Sequence, residues 1–398
     1  MSRVTAPGSM QSGKRRSVAS LAVSTSTQPP GPSGSAMPCQ ACGRPIPVMP
    51  CTQPTRPSGV TSEIAVWAGA GVAISVSSAT AIAAKLDRLR RTEEFSRRSV
   101  PDGLSRGEFM RLCTIQSGGK AAVGVKIGDK IIDLSKQMPR GPKSVVEILA
   151  GGKKLQAAVA KACAKPKAGA TVSAKSAKYL SPIPNPGKIL CIGLNYRKHA
   201  EETGAQIPTY PVVFTRFSNT LVPHNGKMLS TTHSEQYDWE AELTIVIGKK
   251  CRNVPKDKAL SVIAGYACFN DGSIRDWQRK SGGQFTLGKN FDGTGGFGPD
   301  IVTADELPKG AAPLRIMTRV NGVTMQDSST DDLIFDVPTL VHELSKVMTL
   351  DPGDIIITGT PSGVAMARNP QPWLKPGDVC EVEIEKIGIL RNVIVQGP

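Results

Sequence analysis

Ordered alternation of hydrophobic and polar positions begins only near Met110 in this 398-residue chain. From 109 to 132 the pattern runs through Leu112, Thr114, Val123, Val125, Ile127 and Ile131-Ile132, broken at Gly118-Gly119 and Gly128-Asp129. Short alternating runs between such turn pairs predict a β-meander. Short helices are expected over 144–149 and 154–163, and Pro182, Pro184 and Pro186 then punctuate a boundary. Beyond Lys188 the pattern favours strands, at 189–194, 212–214, 240–247, 262–269, 314–320, 354–358, 379–384 and 389–395. Two helical stretches interrupt them. One is a turn over 196–202 that Gly204 ends; the other spans 333–350 with Pro338 in its first turn. The expected fold class is α+β and strand-dominated. Its parts are a small N-terminal β/α region at 110–185 and a larger domain at 186–398.

Residues 1–109 read differently. The first 60 hold ten prolines and no hydrophobic period, which predicts disorder. Glu63 is the first acidic residue, preceded by Arg3, Lys14, Arg15, Arg16, Arg44 and Arg56 among many Ser and Thr. An Arg- and Ser-rich, acid-free N-terminus is the signature of an organelle transit peptide. A mitochondrial matrix location is therefore favoured over the cytosol. The formal net charge of +16 speaks to partners and solubility, not to fold. The longest basic block is Lys14-Arg15-Arg16, too sparse for a nucleic-acid arm, so no nucleic-acid partner is expected. Residues 64–84 form an uncharged run long enough to span a bilayer. Ala, Gly, Ser and Val dominate it, so insertion is weak; an anchor there is the minor alternative, and membrane contact is not expected. The nine cysteines are scattered, as in reduced thiols rather than a disulfide framework. Cys39, Cys42 and Cys51 lack the fourth ligand of a closed zinc site. Repeat periods and long apolar runs are too few for collagen, a coiled coil or a multi-span membrane protein.

Three stretches carry chemistry. In Asp238-Trp-Glu240-Ala-Glu242, alternate residues of a strand share a face, so three carboxylates project together before the strand turns apolar. Carboxylates crowded on a buried face suit a hard divalent cation; a solvated edge strand is the bland alternative. In Asn270-Asp271-Gly-Ser273-Ile-Arg275-Asp-Trp-Gln278 a strand gives way to a helix, and Asp271 is either its cap or a third ligand. In Asn195-Tyr196-Arg-Lys-His199-Ala-Glu-Glu202 the imidazole and carboxylate lie three apart on one helix face. That pairing fixes a tautomer and strengthens a base, unless the face is simply exposed and charged. Lys289 is expected in a Gly-flanked loop, as an anion partner or a surface Lys. The small residues Thr358-Gly-Thr360-Pro-Ser-Gly363 follow a buried-type strand and offer hydroxyl and amide donors. The Gly-rich run 293–298 is no dinucleotide fingerprint, because Pro299 follows and no helix begins.

These motifs occur together and in order, with Gly288-Lys289-x-Phe291-Asp292 and Asp351-Pro-Gly-Asp354 between them. Together they resemble the fumarylacetoacetate hydrolase family, in its acylpyruvate-hydrolase-like branch, over about 110–398. The resemblance implies a mixed β-sandwich roll, a homodimer, and a catalytic metal-binding domain at 186–398. Glu240, Glu242 and Asp271 match the positions that hold Mg²⁺, with Mn²⁺ or Ca²⁺ as substitutes. His199 and Glu202 match a water-activating dyad on a mobile lid, and Lys289 matches the residue that steadies a developing enolate. Arg275, Gln278 and Thr360 match substrate-contacting positions. Arg216 departs from the pattern, since many members carry Lys there.

The implied activity is Mg²⁺-dependent hydrolysis of C–C bonds in β-diketo acids such as acylpyruvates, a hydrolase acting on ketonic substances. The partner is then a small 2-oxo or β-diketo acid. Oxaloacetate decarboxylation, isomerisation of hydroxymuconate-like diacids and ureidoglycolate cleavage stay open on the same site. A non-catalytic basic binding protein that keeps the fold is the alternative of another class.

Overall fold

A computed structural model describes residues 110–398, apart from Ser281. The expectations for 1–109, namely disorder, a transit peptide and the apolar run at 64–84, lie outside the described residues. Within them, no helix is long and apolar enough to cross a membrane. The six described cysteines are all free.

Strands dominate, as the alternation predicts. A mixed twelve-stranded sheet has Ala241–Ile247 and Ile263–Asp271 at its centre. Both strands are apolar along most of their length because both faces of the sheet are covered. Leu243, Ile245 and Ile247 pack into one core, whereas Val246 faces a second core on the other side. Full burial of each such side chain is worth roughly 1.5–3 kcal/mol, so this pair anchors the fold.

A five-stranded sheet brings Ile316, Val382, Ile384 and Leu390 against the first core. The helix Val337–Val347 adds Val337, Leu340, Val341 and Leu344 to the same face. It begins at Val337, later than the expected 333, but Pro338 does lie in the first turn, and the Asp336 carboxylate accepts the Thr339 N–H at 2.9 Å. Helices Val145–Ala150 and Gly152–Cys163 cover the second core with Ile148, Leu149 and Val159. The N-terminal meander joins the large sheet through Arg111–Ser117, which pairs with Gly295–Thr303. The sheet therefore runs across the boundary expected near residue 185.

One strand lies outside the predicted set, and one expectation needs correction. Gly295–Thr303 is a nine-residue strand with every position buried, although its Gly and Pro content hid it. Tight packing is the reason. A Cβ on Gly295 would sit 2.8 Å from the Arg216 guanidinium, and one on Gly296 would sit 2.7 Å from Asn392 Oδ1. The segment around Lys289 is a short helix, Thr286–Lys289, rather than a loop.

Candidate metal centre and catalytic pocket

Glu240 and Glu242 stand at the mouth of the central strand, and Asp271 ends the strand beside it. The pairing Ala241↔Asn270 sets this proximity. The Asp271 N–H donates to the Glu240 carbonyl at 2.9 Å, and Asn270 Oδ1 accepts the Glu240 N–H at 3.1 Å. One carboxylate oxygen from each of Glu240, Glu242 and Asp271 lies within 4.8 Å of the other two, and all three residues are buried. Asp271 is thus not a helix cap; the helix begins later, at Arg275, and the carboxylate turns into the site.

Asp238 leaves the group with which alternation had placed it. It belongs to a separate two-residue strand, Tyr237–Asp238. Its carboxylate accepts Arg275 Nε at 2.8 Å and the amides of Ala365 and Met366 at 2.7 and 3.1 Å. The chain departs from regular strand geometry between Asp238 and Ala241, so the period of two does not carry across it.

Three cations reach the centre. Lys289 Nζ donates to Glu240 Oε2 and, at 2.5 Å, to Asp271 Oδ2. Arg275 Nη2 donates to Glu240 Oε1 at 2.6 Å, and Nη1 to Gln278 Oε1 at 3.0 Å. Arg216 Nε binds Asp271 Oδ1. Sequence reasoning drew nothing from Arg216, yet it is buried and grips one of the three converging carboxylates. The signal was present as a lone cation at the end of an apolar strand.

Four carboxylates (Asp238, Glu240, Glu242, Asp271) thus face three cations in a water-poor setting. Burial opposes ionisation of Glu240, but Arg275 and Lys289 outweigh it and bring the carboxyl down to about 2. Glu242 goes the other way. Burial, then the charges of Asp271 and Glu240, push it well up, and its direct donor is the Gly359 amide. Oxygen donors from three carboxylates with a surplus of negative charge fit a hard divalent cation.

The centre opens into a cavity of about 330 Å³ lined by Glu240, Glu242, Arg275, Gln278, Lys289 and Thr360, with His199 on its wall. His199 Nδ1 meets Glu202 Oε1 at 2.8 Å, and Glu202 also accepts the Gly363 amide. The carboxylate is behind the ring, leaving the other ring nitrogen unengaged by it. The short helix Arg197–Glu202 is held at its entry by Asn195, whose side chain donates to the carbonyls of Phe335 and Thr358. Thr360 is fixed by Gln326, whose amide donates to its hydroxyl at 2.9 Å. Gln326 is a further residue that spacing could not reveal, since it arrives from a distant hairpin. Every predicted site residue is thus brought to one centre, Asp271 and Glu202 from just behind the cavity wall. Arg275, however, spends its donors on protein partners.

The profile of the fumarylacetoacetate (FAA) hydrolase C-terminal family matches residues 188–395. The chain is 36% identical to "Oxaloacetate tautomerase Fahd2a, mitochondrial" of Rattus norvegicus over 271 residues, 68% of this chain and 85% of that one. A solved putative HpcE protein from Mycobacterium smegmatis shares 34% identity at a TM-score of 0.64, covering 73% of this chain and all of that one. Maleylpyruvate hydrolase from Sphingobium sp. SYK-6, solved with manganese(II) and pyruvate, shares 29% identity at a TM-score of 0.61 over 73% of this chain and all of that one. The strand-dominated fold is shared with solved members of an enzyme family, and the chain belongs to the fumarylacetoacetate hydrolase family.

Proposed function

We propose that the chain is a divalent-metal-dependent enzyme of small 2-oxo acids, with oxaloacetate keto–enol tautomerisation as its first activity. The observation that carries the reading is one cavity lined by Glu240 and Glu242 of the acidic triad and by an imidazole backed by a carboxylate. The named activity of the rat relative supports the choice of reaction. Glu240, Glu242 and Asp271 would hold the cation, with Mg²⁺ the expected ion. When bound, it would polarise the substrate's 2-oxo carbonyl.

The chain's own residues supply the proton chemistry. His199, oriented by Glu202, takes a proton from the carbon next to the 2-oxo group. The Lys289 ammonium lies at the same centre and steadies the charge that develops on the oxygen. Thr360, held by Gln326, offers its hydroxyl to the substrate. Protonation of the oxygen gives the enol, and the reverse path restores the ketone.

Hydrolysis of acylpyruvates is the second reading, because the same His199–Glu202 pair can activate water and a maleylpyruvate hydrolase shares the fold. By analogy with the mitochondrial relative, the matrix is the proposed location, and the homodimer is carried over from the family resemblance. The test is to follow enol absorbance of oxaloacetate and pyruvate release from acylpyruvates, with and without Mg²⁺. Faster tautomerisation without pyruvate release supports the first reading. Pyruvate from acylpyruvates, with no effect on oxaloacetate, replaces it by the second. A metal-loaded protein inert towards both sets sinks the 2-oxo acid assignment and favours a binding role.

A further inference from the structure

Resting on the 2-oxo acid reading, we infer that Arg279 receives the distal carboxylate of the substrate and makes the pocket selective for dicarboxylic 2-oxo acids. The inner cations are already committed. Lys289 bridges Glu240 and Asp271, Arg216 holds Asp271, and Arg275 holds Asp238 and Glu240. A second substrate carboxylate therefore needs another cation. Among the described residues lining the cavity, Arg279 is the cation without a carboxylate partner. Its Nη2 donates to the neutral Gln236 Oε1 at 2.8 Å, which orients the guanidinium without neutralising it.

The helix Arg275–Lys280 sets the span. Arg275 contacts Glu240 at the metal end, and Arg279 lies four residues further along the same face. Four residues rise about 6 Å. The carboxylates of a four- or five-carbon diacid, built on ~1.5 Å carbon–carbon bonds, are about 4–6 Å apart. A planar guanidinium fork matches a carboxylate better than an ammonium does. Between the two ends, Ile192, Phe214, Phe285 and Met366 offer an apolar wall to the substrate's carbon chain. That wall alone would accept an uncharged acyl tail; Arg279 is what would discriminate.

The test uses the full chain loaded with Mg²⁺. kcat/KM is measured for oxaloacetate and for acetylpyruvate in the wild type, Arg279→Gln and Arg279→Lys. Inhibition by 2-oxoglutarate and by 2-oxobutyrate gives a readout independent of turnover. Loss of one charge-assisted contact predicts a fall of about 10–100-fold in the diacid-to-monoacid ratio in Arg279→Gln, expressed mainly in KM. Inhibition by 2-oxoglutarate should weaken alike, with 2-oxobutyrate unaffected and Arg279→Lys restoring part of the ratio. An unchanged ratio, or equal loss for both acids, overturns the role of Arg279 and leaves the 2-oxo acid reading standing. A wild type that neither turns over nor binds any of these acids overturns both.

Discussion

Glu242 has the Gly359 amide as its direct donor, against the nearby charges of Glu240 and Asp271. Its carboxylate is thus the group whose environment most lacks positive charge, and Glu242→Gln should weaken Mg²⁺ binding by about 100-fold or more in calorimetry, beyond the usual cost of an outer-sphere change. Unchanged affinity would remove Glu242 from the ligand set. His199 contacts Glu202, not the triad, so His199→Ala should lower kcat by about 10²–10⁴-fold while Mg²⁺ affinity holds. A parallel loss of metal would make the ring a structural support instead. Away from the site, His224 accepts the Arg391 N–H at Nδ1 (3.1 Å) and meets the Tyr179 ring edge-on. Burial first, then the charges of Lys126 and Arg391, bring its pKa down from the usual range to about 4. Between about pH 6.5 and 4 the unfolded chain binds a proton that the folded one refuses, so stability falls as pH falls through that window. The slope from this group is at most ~1.4 kcal/mol per pH unit, less where solvent screens it. Denaturant midpoints at pH 7 and 5 should converge in His224→Gln relative to wild type; an identical pH response would refute the assignment.

At the scale of elements, the site depends on short pieces that do not stand alone. The six-residue helix carrying His199 is too short to persist in water without tertiary support. Asn195 at its start and the Gly363 amide at Glu202 supply that support, which keeps the dyad over the cavity. The longer helix Val337–Val347 was legible at the outset because apolar positions recur at helical spacing and Pro338 falls where its missing N–H costs nothing. Its Asp336 cap predicts a measurable element-scale effect. Asp336→Ala should destabilise the fold by about 1 kcal/mol, and Asp336→Asn by less, since Asn still accepts the Thr339 N–H. Equal losses would mean that the Lys256 ion pair, not the cap, carries the contribution.

At the scale of the molecule, Met110 is where the described fold takes hold. Its N–H donates to Thr303 Oγ1 at 3.1 Å, its carbonyl accepts the Thr303 N–H at 3.0 Å, and its side chain is buried. A chain beginning at Met110 should therefore fold, unfold cooperatively and bind Mg²⁺ like the full-length protein, as checked by thermal unfolding and calorimetry. Insolubility of that shorter chain would show that the preceding residues complete the core. The same sheet that begins here passes through the acidic triad, so losses in the meander should reach the site through Gly295–Thr303, which lies between Arg111–Ser117 and Ile263–Asp271.

Local pattern alone determined the strand-dominated class, the helix at Pro338 and the small set of carboxylates, imidazole and lysine worth attention. Those properties follow from periods of two and 3.6 and from residue chemistry, which are local. The open choices were settled by packing. Asp271 is a site carboxylate rather than a cap because strand register sets it beside Glu240. Asp238 is an arginine partner because regular strand structure is interrupted between it and Ala241. Gly295–Thr303 is a central strand because Arg216 and Asn392 approach too closely for any side chain larger than hydrogen at two of its positions. Arg216 and Gln326 gained their roles only through contacts spanning many residues, Arg216 with Asp271 and Gln326 with Thr360. Such contacts are properties of the folded sheets and leave no periodic trace along the chain.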